Sequence, residues 1–172
     1  SGKTFLLREL ARRLGEEQAP VVPIFVELRA LEKQQKVEAL LTAHIENTAL
    51  HVLFIDLDQF KDVNDSLGHN AGDQLLRAVA DRLRQQVAQT GMIARLGGDE
   101  FIVLVAGHGD AQDDVKWSVE AIQSALSEPF VVSGRQMQVT ASIGISSFPG
   151  DGDDAQTLLK HADIAMYGAK QR

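Results

Sequence analysis

The chain has 172 residues, 44% hydrophobic and 24% charged, a length and balance that support one domain with its own core. Its net charge of −7 and pI near 5.2 argue against a surface that coats nucleic acid. It has no cysteine, which excludes a disulfide framework and thiolate zinc sites, and no apolar run approaches the roughly 20 residues that span a bilayer.

The chain opens "SGKT" without an initiating methionine and ends "YGAKQR", and it reads as a piece of something longer. Phe5, Leu6, Leu10, Ala11 and Leu14 fall at helical spacing, and Gly15 closes that helix. The β-branched run "VVPIFVEL" (Val21–Leu28) predicts a strand, and "VEALLTAHIENTAL" (Val37–Leu50) a helix. "HVLFIDLD" (His51–Asp58) predicts a buried strand with acids at its C-terminal end. Leu75, Leu76, Val79, Ala80, Leu83 and Val87 predict an amphipathic helix over 70–88. "GMIARLGGDEFIVLV" reads as strand, two-glycine turn, strand. Val115, Val119, Ile122 and Leu126 mark a helix stopped by Pro129, and "FVVSGRQMQVTASIGISSF" a hairpin turning at Ser133-Gly134. The last helix runs over 154–170, with Leu158, Leu159, Ala162, Ala165 and Met166 on one face. Long amphipathic helices between antiparallel strands predict an α+β or mixed α/β fold with helices packed on a sheet.

Two short stretches carry chemistry. Asp56 and Asp58 stand two apart at a strand end, so their side chains face the same way. A hard cation such as Mg²⁺ takes one or two carboxylates and leaves room for phosphate oxygens. The plainer reading is a solvated turn after a buried strand. In "GGDEF", Asp99 and Glu100 sit on a tight turn, where Gly97 and Gly98 permit positive φ and close approach of a ligand. The plainer reading is a hairpin turn without a ligand. Together, two acid-bearing strand ends in one sheet can meet at one metal. Asn64 and Asp73 in "NDSLGHNAGDQLL" suit a purine edge, and equally suit helix capping.

The joint pattern is more specific than its parts. "FIDLDQFKDVNDSLGHNAGDQLL", "ARLGGDEF", "VTASIGIS" and "LLKHADIAMYGAK", in that order over residues 51–172, resemble the GGDEF family of diguanylate cyclases. The resemblance implies a palm-like fold similar to nucleotidyl cyclases and polymerases, with a central, mostly antiparallel sheet wrapped by helices. It implies condensation of two GTP into cyclic di-GMP with release of two pyrophosphates. By matching positions, Asp56 and Asp99, helped by the carbonyl of Leu57, would hold Mg²⁺, with Mn²⁺ as an alternative. Glu100 would lie beside the metal and the ribose 3′-hydroxyl. Asn64 and Asp73 would read guanine. Phe60, through its backbone, and Lys61 would meet the phosphates, and Gly97 and Gly98 would lie against the nucleotide. Each domain holds one GTP, so a homodimer is implied for turnover. Sensor and EAL domains in a longer parent chain, and a cytoplasmic location, are implied as well.

Three features depart from the family pattern. The "RxxD" product site that often precedes the signature is Ala88 and Gly91 here, so product inhibition through it is not expected. The lysine and arginine that many members carry on the last helix align with Ile164 and Gly168, which predicts a weaker grip on the triphosphate. The opening "DxLTGLxNR" segment is absent. In its place residues 1–45, a separate N-terminal segment preceding a GGDEF domain over 46–172, resemble a truncated P-loop NTPase of the NACHT type. Gly2, Lys3 and Thr4 match the tail of a Walker A loop whose start is missing. A single NTPase, with "HVLFIDLDQF" as its Walker B strand, is the alternative. It leaves "SLGHNAGD", "RLGGDEF" and "ADIAMY" without a role. A GTP-binding module without catalysis is the other alternative.

Overall fold

The computed structural model describes residues 25–27, 50–87, 91–106 and 111–171, with side chains over 50–87, 91–105 and 115–171. The elements in chain order are β1 (Phe25–Glu27), β2 (Leu50–Leu57), α1 (Phe60–Leu67), α2 (His69–Gln86), β3 (Gly91–Gly97), β4 (Glu100–Ala106), α3 (Ala111–Ser127), β5 (Phe130–Val132), β6 (Arg135–Met137), β7 (Ala141–Phe148) and α4 (Ala155–Lys170). Five strands form one sheet in the order β1-β3-β4-β2-β7, and β5-β6 form a separate two-stranded ribbon. Among the described residues of this sheet only the β1–β3 pairing is parallel; β3–β4, β4–β2 and β2–β7 are antiparallel. This is the expected α+β class.

Strand β2 lies inside the sheet, between β4 and β7, and is buried along all eight residues. A strand covered on both faces reads as a continuous apolar run, and "LHVLFIDL" does so up to its acid. Side-chain parity then divides the molecule into two cores. The odd residues Leu53, Ile55 and Leu57 join Ile93, Phe101, Val103 and Val105, beneath α1, α2 and α3. The even residues Leu50, Val52 and Phe54 join Met92, Ala94, Ile102 and Leu104, beneath α4. Burying one such Leu, Ile or Phe contributes about 1.5–3 kcal/mol. Asp56 continues the even series, so parity alone aims it at the face that α4 covers.

Helix α4 begins at Asp154, whose side chain accepts from the Thr157 N–H as an N-cap. Its buried stripe is Ala155, Leu158, Leu159, Ala162 and Met166; Ala165, expected on that face, is exposed. The helix comes close to β7 because Gly144 has no side chain. A Cβ there would overlap the Ala162 carbonyl oxygen and the Met166 backbone N–H, and would stand 2.7 Å from Met166 Cα.

Three expectations change. The stretch after Asp58, to which residue spacing assigns no element, holds an eight-residue helix, α1; it is polar, and only Phe60 is buried. "FVVSGRQMQVTASIGISSF" is not one hairpin. Its first half makes the β5–β6 ribbon, with Ser133 and Gly134 both at positive φ, while β7 leaves the ribbon and pairs with β2. β7 runs beside β2 over eight residues and buries the small side of its alternation, Ser142, Gly144 and Ser146, whereas β6 is mostly exposed. The helix predicted over 37–50 lies outside the described residues apart from Leu50, which opens β2. The helix predicted over 5–14 lies outside them entirely.

Candidate active site

The antiparallel register of β2 and β4 places Asp56 directly opposite Glu100, with Asp99 on the turn just before. The Leu57 N–H donates to the Asp99 carbonyl oxygen at 3.3 Å, tying the end of β2 to that turn. Arg95 holds the turn from the other side: its Nε and Nη2 both donate to the Gly98 carbonyl oxygen, at 3.0 and 2.8 Å. Gly98 has φ of 50°, the left-handed region in which a side chain is strained. A Cβ at Gly97 or Gly98 would meet nothing within 4 Å, so the space above the turn is open.

Three carboxylates therefore gather at one end of the sheet. Burial holds the Asp99 carboxyl above its usual value, and the Asp56 charge adds to this; its own backbone N–H, Lys170 and Arg95 oppose the rise. Burial also raises Glu100, followed by the charges of Asp56, Asp99 and Asp163. The balancing cation comes from the far end of the chain. Lys170, the last residue of α4, places Nζ 2.6 Å from Asp56 Oδ1. The hydrogen bond to Asp56 raises the Lys170 pKa.

Lys170 is the functional group that the sequence reading missed. Ile164 and Gly168, the positions aligned with the family's cations, place no charge here, and Ile164 is exposed. The signal was present in the helical period: Leu158, Ala162 and Met166 are buried at spacing four, and Lys170 is the next residue in that line.

Asp58 has a different task from Asp56. Its two oxygens accept from Thr140 Oγ1 at 2.7 Å and Ser142 Oγ at 2.8 Å, and its N–H donates to the Thr140 carbonyl. The acid at the strand exit thus ties β2 to the start of β7.

Phe60 is the buried first residue of α1, and Lys61 beside it is exposed. The first N–H groups of a helix lack intrahelical partners and suit an anion. At the other end of α1, Asn64 is half-buried against Gly72 of α2, and the exposed Asp73 follows. The structure therefore gathers Asp56, Leu57, Asp99 and Glu100 at one place, and Asn64 and the Gly72-Asp73 step at another. Helix α1 joins the two.

Among the described residues, no three acids or histidines converge as a cage for a cation. Mg²⁺ needs no such cage, because it keeps waters and takes phosphate oxygens alongside one or two carboxylates. An excess of negative charge, with a lysine ammonium already drawn onto Asp56, fits that ion. Where the family's product site would lie, Ala88 is outside the described residues. A Cβ at Gly91 would stand 2.5 Å from the Leu104 carbonyl oxygen, so the strand has no room there for an aspartate.

The chain matches the family described as "Diguanylate cyclase, GGDEF domain" over residues 27–172. It is 37% identical over 150 residues to the cyclic di-GMP phosphodiesterase NbdA of Pseudomonas aeruginosa, covering 83% of this chain and 19% of that protein. It is 46% identical over 121 residues to the bifunctional diguanylate cyclase/cyclic di-GMP phosphodiesterase MucR of the same organism, covering 70% of this chain and 17% of that protein. The chain thus spans about a fifth of the length of these relatives. Among solved structures, a sensory box/GGDEF family protein from Caulobacter crescentus superposes with a TM-score of 0.75 at 37% identity, covering 80% of this chain and 91% of that one.

The P-loop resemblance of the first 45 residues gains no support. The family match begins at Glu27, inside that segment, and β1 hydrogen-bonds into the same sheet as β2. β2 itself has antiparallel neighbours on both sides, unlike a strand of a parallel doubly wound sheet. Gly2, Lys3 and Thr4 lie outside the described residues. Among the described residues no helix is long and apolar enough to cross a membrane.

Proposed function

Because the chain belongs to the GGDEF-domain diguanylate cyclase family, we propose that it binds GTP with Mg²⁺ and, as a homodimer, condenses two GTP into cyclic di-GMP. The observation that carries this is the β2–β4 register, which sets Asp56 opposite Glu100 and Asp99 at the turn.

Asp56 and Asp99, with the Leu57 carbonyl, hold Mg²⁺, or Mn²⁺ in its place. When bound, the ion neutralises triphosphate charge and stabilises the leaving pyrophosphate. The N–H groups at the start of α1, at Phe60 and Lys61, take phosphate oxygens, and the Lys61 and Lys170 ammonium groups add positive charge. Gly97 and Gly98 leave the nucleotide its space. Asn64 and Asp73 read the guanine edge. Asn64 lies four residues beyond Phe60, about 6 Å along the helix axis, so α1 runs from the phosphate end of the nucleotide toward its base.

In the reaction, the 3′-oxygen of one GTP attacks the α-phosphorus of the other. A new phosphoester bond forms, the α–β anhydride bond breaks and pyrophosphate departs. Glu100 accepts the proton of the 3′-hydroxyl, a task that its raised pKa suits. The second, symmetric transfer closes the ring, and two copies face each other to bring the two nucleotides together. Ala88 and Gly91 leave the enzyme without the product brake of the family. We place this domain over 46–172, with the preceding segment lending β1, in a cytoplasmic protein that carries sensor and EAL domains.

The test is product analysis after incubation with GTP and Mg²⁺. Cyclic di-GMP is expected, with a loss of at least about 100-fold in Asp99→Asn and in Glu100→Gln. Unchanged turnover in both variants sinks the assignment. A second reading, a regulatory module that binds GTP without turnover, is favoured by the relative named for phosphodiesterase activity alone. Tight GTP binding with no product at high protein concentration selects it.

A further inference from the structure

Helices α1 and α2 are separated by one residue, Gly68, at φ 82° and ψ 160°. Its N–H donates to the Asn64 carbonyl at 2.9 Å and closes α1. Its own carbonyl accepts from the Ala71 and Gly72 N–H groups, at 3.0 and 3.2 Å, and opens α2. Asn64 stands four residues before this corner and Gly72 four residues after it. The fold of the corner turns them onto each other.

Gly72 has no need of glycine's backbone freedom, since it lies in regular helix and outside the positive-φ residues. In a helix interior a glycine costs about 1 kcal/mol relative to alanine. Space is the remaining reason for it. A Cβ at Gly72 would overlap Asn64 Oδ1 and stand 3.0 Å from Asn64 Cγ and 3.1 Å from Phe60 Cζ. The Asn64 carboxamide occupies the volume that any other residue at 72 would fill.

We propose that Gly72 is a positioning residue for base recognition: its missing side chain lets the Asn64 carboxamide rest on the α2 backbone in the one orientation that reads the substrate's base. This rests on the proposed reading of guanine by Asn64. The atom in the way is the far end of a half-buried side chain, so Gly72→Ala displaces the amide without disturbing the backbone. The alanine also favours the helix. Fold and base reading should therefore separate.

The experiment compares binding of GTP and ITP, which lacks the 2-amino group, in wild type, Gly72→Ala, Asn64→Ala and the double variant, alongside thermal melts. Gly72→Ala is expected to melt close to wild type. It should bind GTP about tenfold more weakly, one hydrogen bond's worth, and lose most of the preference for GTP over ITP. In the Asn64→Ala background, Gly72→Ala should change neither value. Wild-type discrimination in Gly72→Ala, or an equal loss from it in both backgrounds, overturns the inference while leaving guanine reading intact. Full discrimination in Asn64→Ala, with Asp73 left to carry it, overturns the reading of guanine by Asn64 and this inference together. A Gly72→Ala chain too unstable to bind either nucleotide, with the double variant no better, makes Gly72 a packing residue and also overturns it.

Discussion

Lys170→Met removes the cation paired with Asp56 while keeping much of the apolar volume of the side chain. The pair is 2.6 Å apart, with side chains 42% and 10% exposed for Lys170 and Asp56. Breaking a fully buried pair costs about 3–5 kcal/mol, because a charge is left without compensation. An exposed pair contributes at most about 1 kcal/mol. With the lysine half in water and the aspartate buried, screening brings the expected loss to about 1–2 kcal/mol. At this chain length that is a fall in melting temperature of about 3–6 °C. The assay is thermal unfolding in metal-free buffer at low salt, repeated with Mg²⁺. Without Lys170, the charges of Asp56, Asp99 and Glu100 repel one another with less opposition, so Mg²⁺ should raise the melting temperature more in the variant than in wild type. Equal melting temperatures in metal-free buffer, together with an equal response to Mg²⁺, would refute the ion pair as the balance of the site.

Gly144→Ala should destabilise the fold by about 2–3 kcal/mol, since the new methyl meets helix backbone that cannot rotate away; a lowered urea midpoint checks it, and an unchanged midpoint rejects the close α4–β7 approach. The pH dependence has a defined sign. Asp99 and Glu100 are raised in the folded state, so the fold binds their protons more tightly than the unfolded chain does. Their contribution to metal-free stability should fall as pH rises from the ordinary carboxylate range through the raised values, and level off above them. The difference in melting temperature between wild type and an Asp99→Asn, Glu100→Gln double variant, followed across that window, should show this slope; a flat difference contradicts the burial of the two acids.

The sequence was most informative where local pattern and tertiary environment agree. β2 reads as a buried strand because both its faces are covered, and α2 reads as a helix because one continuous stripe packs against the sheet. Asp56, Asp99 and Glu100 stood out because two acid-bearing strand ends in one sheet can meet at one metal, and because their motifs match one family in order. α1 was illegible: eight mostly polar residues with one buried side chain lack the stripe that marks a helix. β7 was misassigned because alternation reports a half-buried strand but not its partner. Aligning the last helix by motif pointed to Ile164 and Gly168, whereas helical phase points to Lys170.

By itself, the sequence determined the acid-bearing strand ends, the glycine turn between β3 and β4 and the α+β class, because these depend on residue type and spacing over a few neighbours. Only the tertiary structure decided which groups meet. Lys170 reaches Asp56 across 114 positions because β2 parity and the α4 stripe put both on one face of the sheet. Asn64 lies on Gly72 because one glycine turns two helices back on each other. Such contacts depend on how elements pack, and no local run of residues carries that information.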